Sequence, residues 1–310
     1  MMIIRIVNKL LSAFDVAVTR RSSLTRLSQA ALHVPAQTDA NTSAQNAIVD
    51  HLAAFHQDTV RGRIASQWRV IDHVERLLPS PLTLACELCG AVHATSAYKA
   101  MESHCVFGGG RLLRHQCPDC DAVFGPSKMM VLSAAELSQD YAVHYSVYQE
   151  GDSTDLEVRT FHALNPNKEG VYLNYGAGGW SKSVQLLREQ GWNVMAYEPH
   201  HSGATANEPY VISSERDLDA IEFDGIFSNN VLEHFRHPLT EMRSMAKHLK
   251  PGGKMSHTTP CFEYRYEFTR FHLFFYLGRS RQVLAEQAGL LIDSYTQDGE
   301  FINYIYSVKH

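Results

Sequence analysis

The stretch VYLNYGAGGWSKSVQLL, residues 171–187, decides the fold. Val171 to Tyr175 is a short β-branched and aromatic run of strand character. Gly176, Gly178 and Gly179 follow in quick succession, and the segment after them spaces its apolar residues as an amphipathic helix does. A strand that breaks into glycines and restarts as a helix lets backbone approach a ligand closely and aims a helix N-terminus at it. Downstream, GWNVMAYEPH (191–200) supplies a second strand ending at Glu198. That lies about twenty residues beyond the glycines, where a carboxylate can accept both hydroxyls of a ribose. Residues 223–260, FDGIFSNNVLEHFRHPLTEMRSMAKHLKPGGKMSHTTP, read as strand, loop, helix, a Pro-Gly-Gly stop and another strand. Strand and helix in alternation from Gly170 onward give an α/β chain with a doubly wound, Rossmann-like sheet.

Upstream stand two cysteine pairs, CELCG (86–90) and CPDCD (117–121). Each C-x-x-C places two thiols on one tight turn, and two such turns face to face make the tetrahedral sulfur shell that zinc prefers. Cys86, Cys89, Cys117 and Cys120 are therefore the expected ligands of a small, closed, zinc-ribbon-like module with a structural metal. His104, Cys105 and His115 are the alternatives, and structural disulfides are the competing reading. Before the module, residues 1–80 alternate helical patterns with a polar break at Pro35–Asn46, which reads as a linker or loop. Ile48, Leu52, Phe55, Val60, Ile64, Trp68, Ile71 and Val74 then follow at near-helical spacing, as one long helix or two shorter ones.

Composition narrows the function classes. At 310 residues and 45% hydrophobic, the chain can bury one full core or two, and its net charge of -5 argues against nucleic acid as a partner. No apolar run reaches the roughly 18 residues of a membrane span. Ile3, Val7, Leu10, Phe14 and Val18 share a helical face beside a basic set that includes Arg5 and Lys9. Packing on its own domain is the simplest fate of that helix, and a membrane surface or partner protein is the alternative. The start lacks a cleavage-site pattern, so the expected location is the cytoplasm, at the inner face of the membrane if that helix docks there.

The ordered series from Gly170 to the C-terminus resembles the class I S-adenosylmethionine-dependent methyltransferases. It is carried by Asn174–Gly179, Glu198, FDGIFSNNVLEH (223–234) and LKPGG (249–253), and by the late segment from Thr269 with its histidine-bearing loop. The resemblance implies S-adenosylmethionine as cofactor, held by Asn174, Gly176, Gly178, Gly179, Glu198 and Asn229, with the adenine contact near Ser213–Arg216. Two positions depart from the family pattern: its usual first acid is Asn174 here and its third glycine is Trp180. An asparagine hydrogen-bonds but cannot neutralise the cofactor's ammonium.

Together with the cysteine module, the series is similar to bacterial methyltransferases that join a zinc-binding module to a class I domain, some of which act on sugars or surface polysaccharides. The expected organisation is a helical region at 1–80, a zinc module at 81–131 and a methyltransferase domain at 132–310 that begins with a helical bridge. The acceptor is then a small molecule or a glycan-linked hydroxyl, which needs a base. His234 follows the fourth strand, at the edge where ligands bind in open α/β sheets, with His257 and His272 as alternatives and Glu233 as a group orienting the cofactor's surroundings. Two other readings are an RNA or protein methyltransferase, which would use Lys99, Arg111 and Arg114 as a basic stripe, and a cofactor-free scaffold. A homo-oligomer is compatible with each.

Overall fold

The computed structural model describes residues 39–149, 151–178, 181–199 and 208–309. The basic helix expected over residues 3–26, and the site residues Gly179 and Trp180, lie outside the described residues. The chain divides into two units, residues up to His56 and residues from Gln57 onward.

Helix α1 (Asp39–Leu77) is one continuous helix, the first of the two readings for this segment. It corrects the linker expected at Pro35–Asn46, because the helix already begins at Asp39. No glycine or proline follows Pro35 in that stretch, and Asp, Asn and Ser suit the opening of a helix as well as they suit a loop. Within the second unit α1 buries Ile64 and Trp68, exposed at only 2% and 1%.

Strands β1 (Thr83–Ala85) and β2 (Val92–Ala94) form an antiparallel hairpin that carries the first cysteine pair. Strands β3 (Lys99–His104), β4 (Arg111–Gln116) and β5 (Val123–Phe124) form an antiparallel sheet, with the second pair between β4 and β5. A short helix α2 (Ser127–Met130) leads to α3 (Ala134–Tyr145), the expected bridge. The start of α3 is fixed by a capping box in which the Ser133 hydroxyl accepts from the Glu136 N–H while the Glu136 carboxylate accepts from the Ser133 N–H.

The remaining elements alternate: α4 (Thr154–Ala163), β6 (Val171–Tyr175), α5 (Ser183–Glu189), β7 (Asn193–Tyr197), β8 (Val211–Ile212), α6 (Glu215–Leu218), β9 (Phe223–Asn229), α7 (Pro238–Lys247) and β10 (Leu249–Thr258). Then come β11 (Phe274–Phe275), α8 (Ser280–Ala288), β12 (Leu290–Asp298) and β13 (Phe301–Val308). Among the described residues the large sheet has the order β12-β13-β10-β9-β6-β7-β8. Strands β8, β7, β6, β9 and β10 run parallel, and β13 is antiparallel to both of its neighbours. From β6 the chain moves outward to β7 and β8, then returns to the other side for β9, so the crevice between β6 and β9 is the topological switch point.

The alternation of side chains builds both faces. Tyr172 and Phe227 bury against Phe161 of α4 and Leu187 of α5 on one face. Leu173 and Ile226, one residue out of phase, bury with Met242 and Met245 of α7 and Leu284 of α8 on the other. One expectation changes here. Pro251-Gly252-Gly253 does not stop the chain before a strand but lies inside β10, where the register against β9 breaks between Leu249 and Lys254. Gly252 sits at φ 81°, a conformation that lets the strand bulge and resume.

The module's sheet draws its last strand from far along the chain. Its order is β11-β5-β4-β3, with Phe274 opposite Phe124 and Phe275 opposite Val123. Buried side chains run without interruption from Trp68 and the cysteine turns into the large sheet.

Candidate cofactor and metal sites

The two cysteine turns are copies of each other. Cys86 N–H donates to Ala91 O and Cys117 N–H to Ala122 O, both at 2.8 Å. Gly90 N–H donates to Cys86 O and Asp121 N–H to Cys117 O, with φ of 75° and 67° at the two donors. The turns bring Cys86 Sγ within 3.6 Å of Cys120 Sγ and Cys89 Sγ within 3.6 Å of Cys117 Sγ. A tetrahedral zinc with bonds of about 2.3 Å has sulfurs about 3.8 Å apart, so the spacing fits a metal shell rather than a disulfide of about 2.05 Å. All four thiols lie within 4.8 Å of one another, a group able to hold a metal ion. His104, Cys105 and His115 are not part of it. The contact between Cys86 and Cys120 holds the Cys86 thiol down and pushes the Cys120 thiol up, while burial raises Cys117.

At the C-terminal ends of β6 and β7 the glycine turn takes shape. Gly176 lies at φ 73°, and a Cβ there would meet Val231 Cγ2 at 2.9 Å, so glycine is required both by the backbone and by the loop after β9. Gly178, at φ 61°, donates its N–H to Glu198 Oε2 at 3.1 Å, which sets the expected ribose acid directly against the turn. Asn229 ends β9 with both its amide oxygen and nitrogen buried and without a partner among the described residues. A buried amide in that condition at the switch point awaits a polar ligand. Asn174 points elsewhere: its Nδ2 donates to Glu157 Oε2 at 2.7 Å and to Ser183 Oγ at 3.3 Å. Glu157, on α4, also accepts from Ser153 and Ser183, and burial raises its carboxyl above the usual range. An acid therefore does stand beside the first position of the turn, contributed by the preceding helix rather than by the strand. No spacing rule points to Glu157, since α4 and β6 meet only in the fold.

The three histidines fall in two places. His257 is buried in the middle of the sheet with Nδ1 2.8 Å from Ser228 Oγ, and burial pushes it down to about 3. His234, by contrast, sits in the turn after β9 with His272 beside it, their rings crossing edge to face at 5.1 Å. The loop bearing His272 is pinned there by Leu273 N–H to Glu233 O and Tyr276 O–H to Leu232 O, both 2.7 Å. Tyr141 of α3 reaches His234 Nδ1 at 2.9 Å and stacks on Phe271 at 4.1 Å. From the module, Arg114 spreads its guanidinium over the carbonyls of Glu267, Thr269 and His272.

That position overturns the basic stripe. Arg114 is 1% exposed, and burial pushes it down to about 10 while leaving it charged at neutral pH. Arg111 is paired with Glu102 at 2.8 Å. Strand alternation turns Arg114 inward, a result the run of basic residues alone could not disclose. Tyr141 and Glu157 are thus the site residues that sequence reasoning missed, and Arg114 is one it named for another role.

Residues 154–295 match a family model described as a methyltransferase domain. No curated protein matches the chain. Among solved structures, the CcbJ methyltransferase from Streptomyces caelestis is 12% identical with a TM-score of 0.40, over 54% of this chain and 95% of that one. The 1,6-didemethyltoxoflavin-N1-methyltransferase of Burkholderia thailandensis, solved with S-adenosylhomocysteine, is 16% identical with a TM-score of 0.43, over 62% of this chain and 96% of that one. Such distant likenesses carry nothing about acceptors. The family match runs from the start of α4 into β12 and contains the glycine turn, Glu198, Asn229 and the switch point between them. The chain carries an S-adenosylmethionine-dependent methyltransferase domain, built on a doubly wound sheet and joined to a four-cysteine module.

Proposed function

We propose that the protein methylates a hydroxyl of a sugar or other small glycan-linked acceptor, and that its four cysteines hold a structural zinc. The reading of the acceptor is supported by an open surface hollow of about 450 Å³ lined by Glu263, Tyr264, Arg265, Tyr266, Phe268 and Leu277. Aromatic faces with a carboxylate and a guanidinium between them suit a ring that is apolar on its faces and rich in hydroxyls at its rim. Tyr266 joins this cavity to the histidines, because its carbonyl accepts from His272 Nδ1 at 2.9 Å. Glu233, His234 and His272 then form the polar end at which the acceptor's proton is handled. The cofactor supplies an electrophilic methyl group on a sulfonium. Gly176, Gly178, Glu198 and Asn229 hold it, and the chain's own task is to align the two partners and exclude water.

Zinc is favoured at the cysteines by sulfur spacing and by four matched ligands, which leave no position open for substrate. None of the six cysteines forms a disulfide, which suits a reducing compartment, and we place the protein in the cytoplasm. Among the described residues no helix is long and apolar enough to cross a membrane.

Two substitutions test the reading with a panel of nucleotide sugars and glycans as acceptors. Glu198→Ala is expected to weaken S-adenosylmethionine binding by about 1–3 kcal/mol in calorimetry. His234→Ala is expected to lower turnover by about 100-fold or more with cofactor affinity unchanged. Unchanged affinity in the first variant removes Glu198 from the ribose, and full turnover in the second returns His234 to a packing role.

A further inference from the structure

We infer that Glu233, His234 and His272 form a second metal site, separate from the cysteines, that binds a divalent transition-metal cation beside the cofactor crevice. One ligand atom from each of the three lies within 4.8 Å of the others. Two imidazoles and one carboxylate at that spacing are a donor set suited to a divalent ion, with coordination positions left over for exogenous oxygen.

The hydrogen bonds behind the rings strengthen the assignment. His272 Nδ1 lies 2.9 Å from Tyr266 O, and a carbonyl only accepts, so Nδ1 carries the proton and Nε2 keeps its lone pair. His234 Nδ1 is likewise engaged, by the Tyr141 hydroxyl at 2.9 Å, which leaves Nε2 as the nitrogen that ring has to offer. Imidazoles that ligate metals are held this way, with the far nitrogen tied to a carbonyl or another polar group. Arg114 extends the support one layer further by fixing the His272 carbonyl. Glu233 is 0% exposed, so its carboxylate joins the two imidazoles from inside the fold.

The three ligands come from the turn after β9 and from the loop between β10 and β11, held together by Leu273 N–H on Glu233 O. The site therefore faces the end of the sheet where Asn229 stands. The use of the cation rests on the methyltransferase reading, although its binding does not. A cation held there would make a neighbouring acceptor hydroxyl more acidic, so that its proton would pass to water and its oxygen would take the methyl group, the sulfonium leaving as a neutral thioether. The four thiolates retain zinc in preference to a harder ion, whereas an imidazole and carboxylate site accepts manganese.

Mn²⁺ titration of the full-length protein, preloaded with one equivalent of zinc and followed by electron paramagnetic resonance, tests the site. One bound Mn²⁺ per chain is expected, with affinity lowered at least tenfold in Glu233→Gln and in His272→Ala. Tyr141→Phe, which touches no metal, is expected to weaken binding by about tenfold by freeing the His234 ring. Calorimetry with S-adenosylmethionine on the same samples reports whether each variant is folded. No Mn²⁺ bound by the wild type at millimolar concentration, or equal binding by all variants, overturns the site. Bound manganese without any cofactor binding keeps the metal site and overturns the methyltransferase reading instead.

Discussion

The cysteine module and the reaction edge of the large sheet both gather polar groups at one point, but they do so over different lengths of chain. In the module each pair of thiols is fixed by a turn of a few residues, and the two turns repeat the same hydrogen bonds. At the reaction edge Tyr141, Glu157, Glu198, Asn229, His234 and His272 come from separate elements, and only the finished sheet brings them near one another. Local geometry can be written in a motif, and long-range geometry cannot.

The sharpest way to break this comparison is Cys86→Ser. If the module is held by metal, that change should remove metal from the isolated protein and cost more than about 4 kcal/mol in denaturant unfolding. A metal-free wild type of equal stability would show the turns to be self-sufficient. Arg114→Met comes next. It deprives the loop carbonyls of a buried donor, with an expected cost of about 2–4 kcal/mol, and should depress turnover further than the stability loss explains. Retained turnover would mean that the module merely adjoins the enzyme.

The smallest effect concerns acid. His257, ordinarily near 6.5, is pushed down to about 3 by burial. Between those values the unfolded chain carries a proton that the folded protein refuses, so stability falls as pH drops through 6.5. From pH 7 to pH 5 this ring alone should cost about 2 kcal/mol. In His257→Gln the acid-induced loss, read from urea midpoints, should shrink by that amount. An unchanged slope would assign the acid limb to other groups, such as His144, which burial also holds low, at about 4.

Much of the fold was legible because periodicity reports burial directly. The strand, glycine turn and helix at 171–187 and the acid at Glu198 stand where the pattern put them. The four cysteines were legible because C-x-x-C is its own geometry. Glu157 was hidden because α4 precedes β6 by a loop that no motif measures, and its bond to Asn174 forms only in the fold. Arg114 was misread because a basic residue in a strand has two faces to choose from. Pro251-Gly252-Gly253 was misread as a terminus because a bulge and a stop use the same residues.

The strand β11 ties these regions together in time as well as in space. Phe274 and Phe275 complete the module's sheet, yet they follow β10 in the chain. On the ribosome the cysteine turns emerge first and can take metal while most of the large sheet is still unsynthesised. The edge of β5 stays open until the histidine loop arrives to close it. Maturation of the module and delivery of His272 to its partners are therefore one late event, and a nascent chain truncated before His272 would lack both.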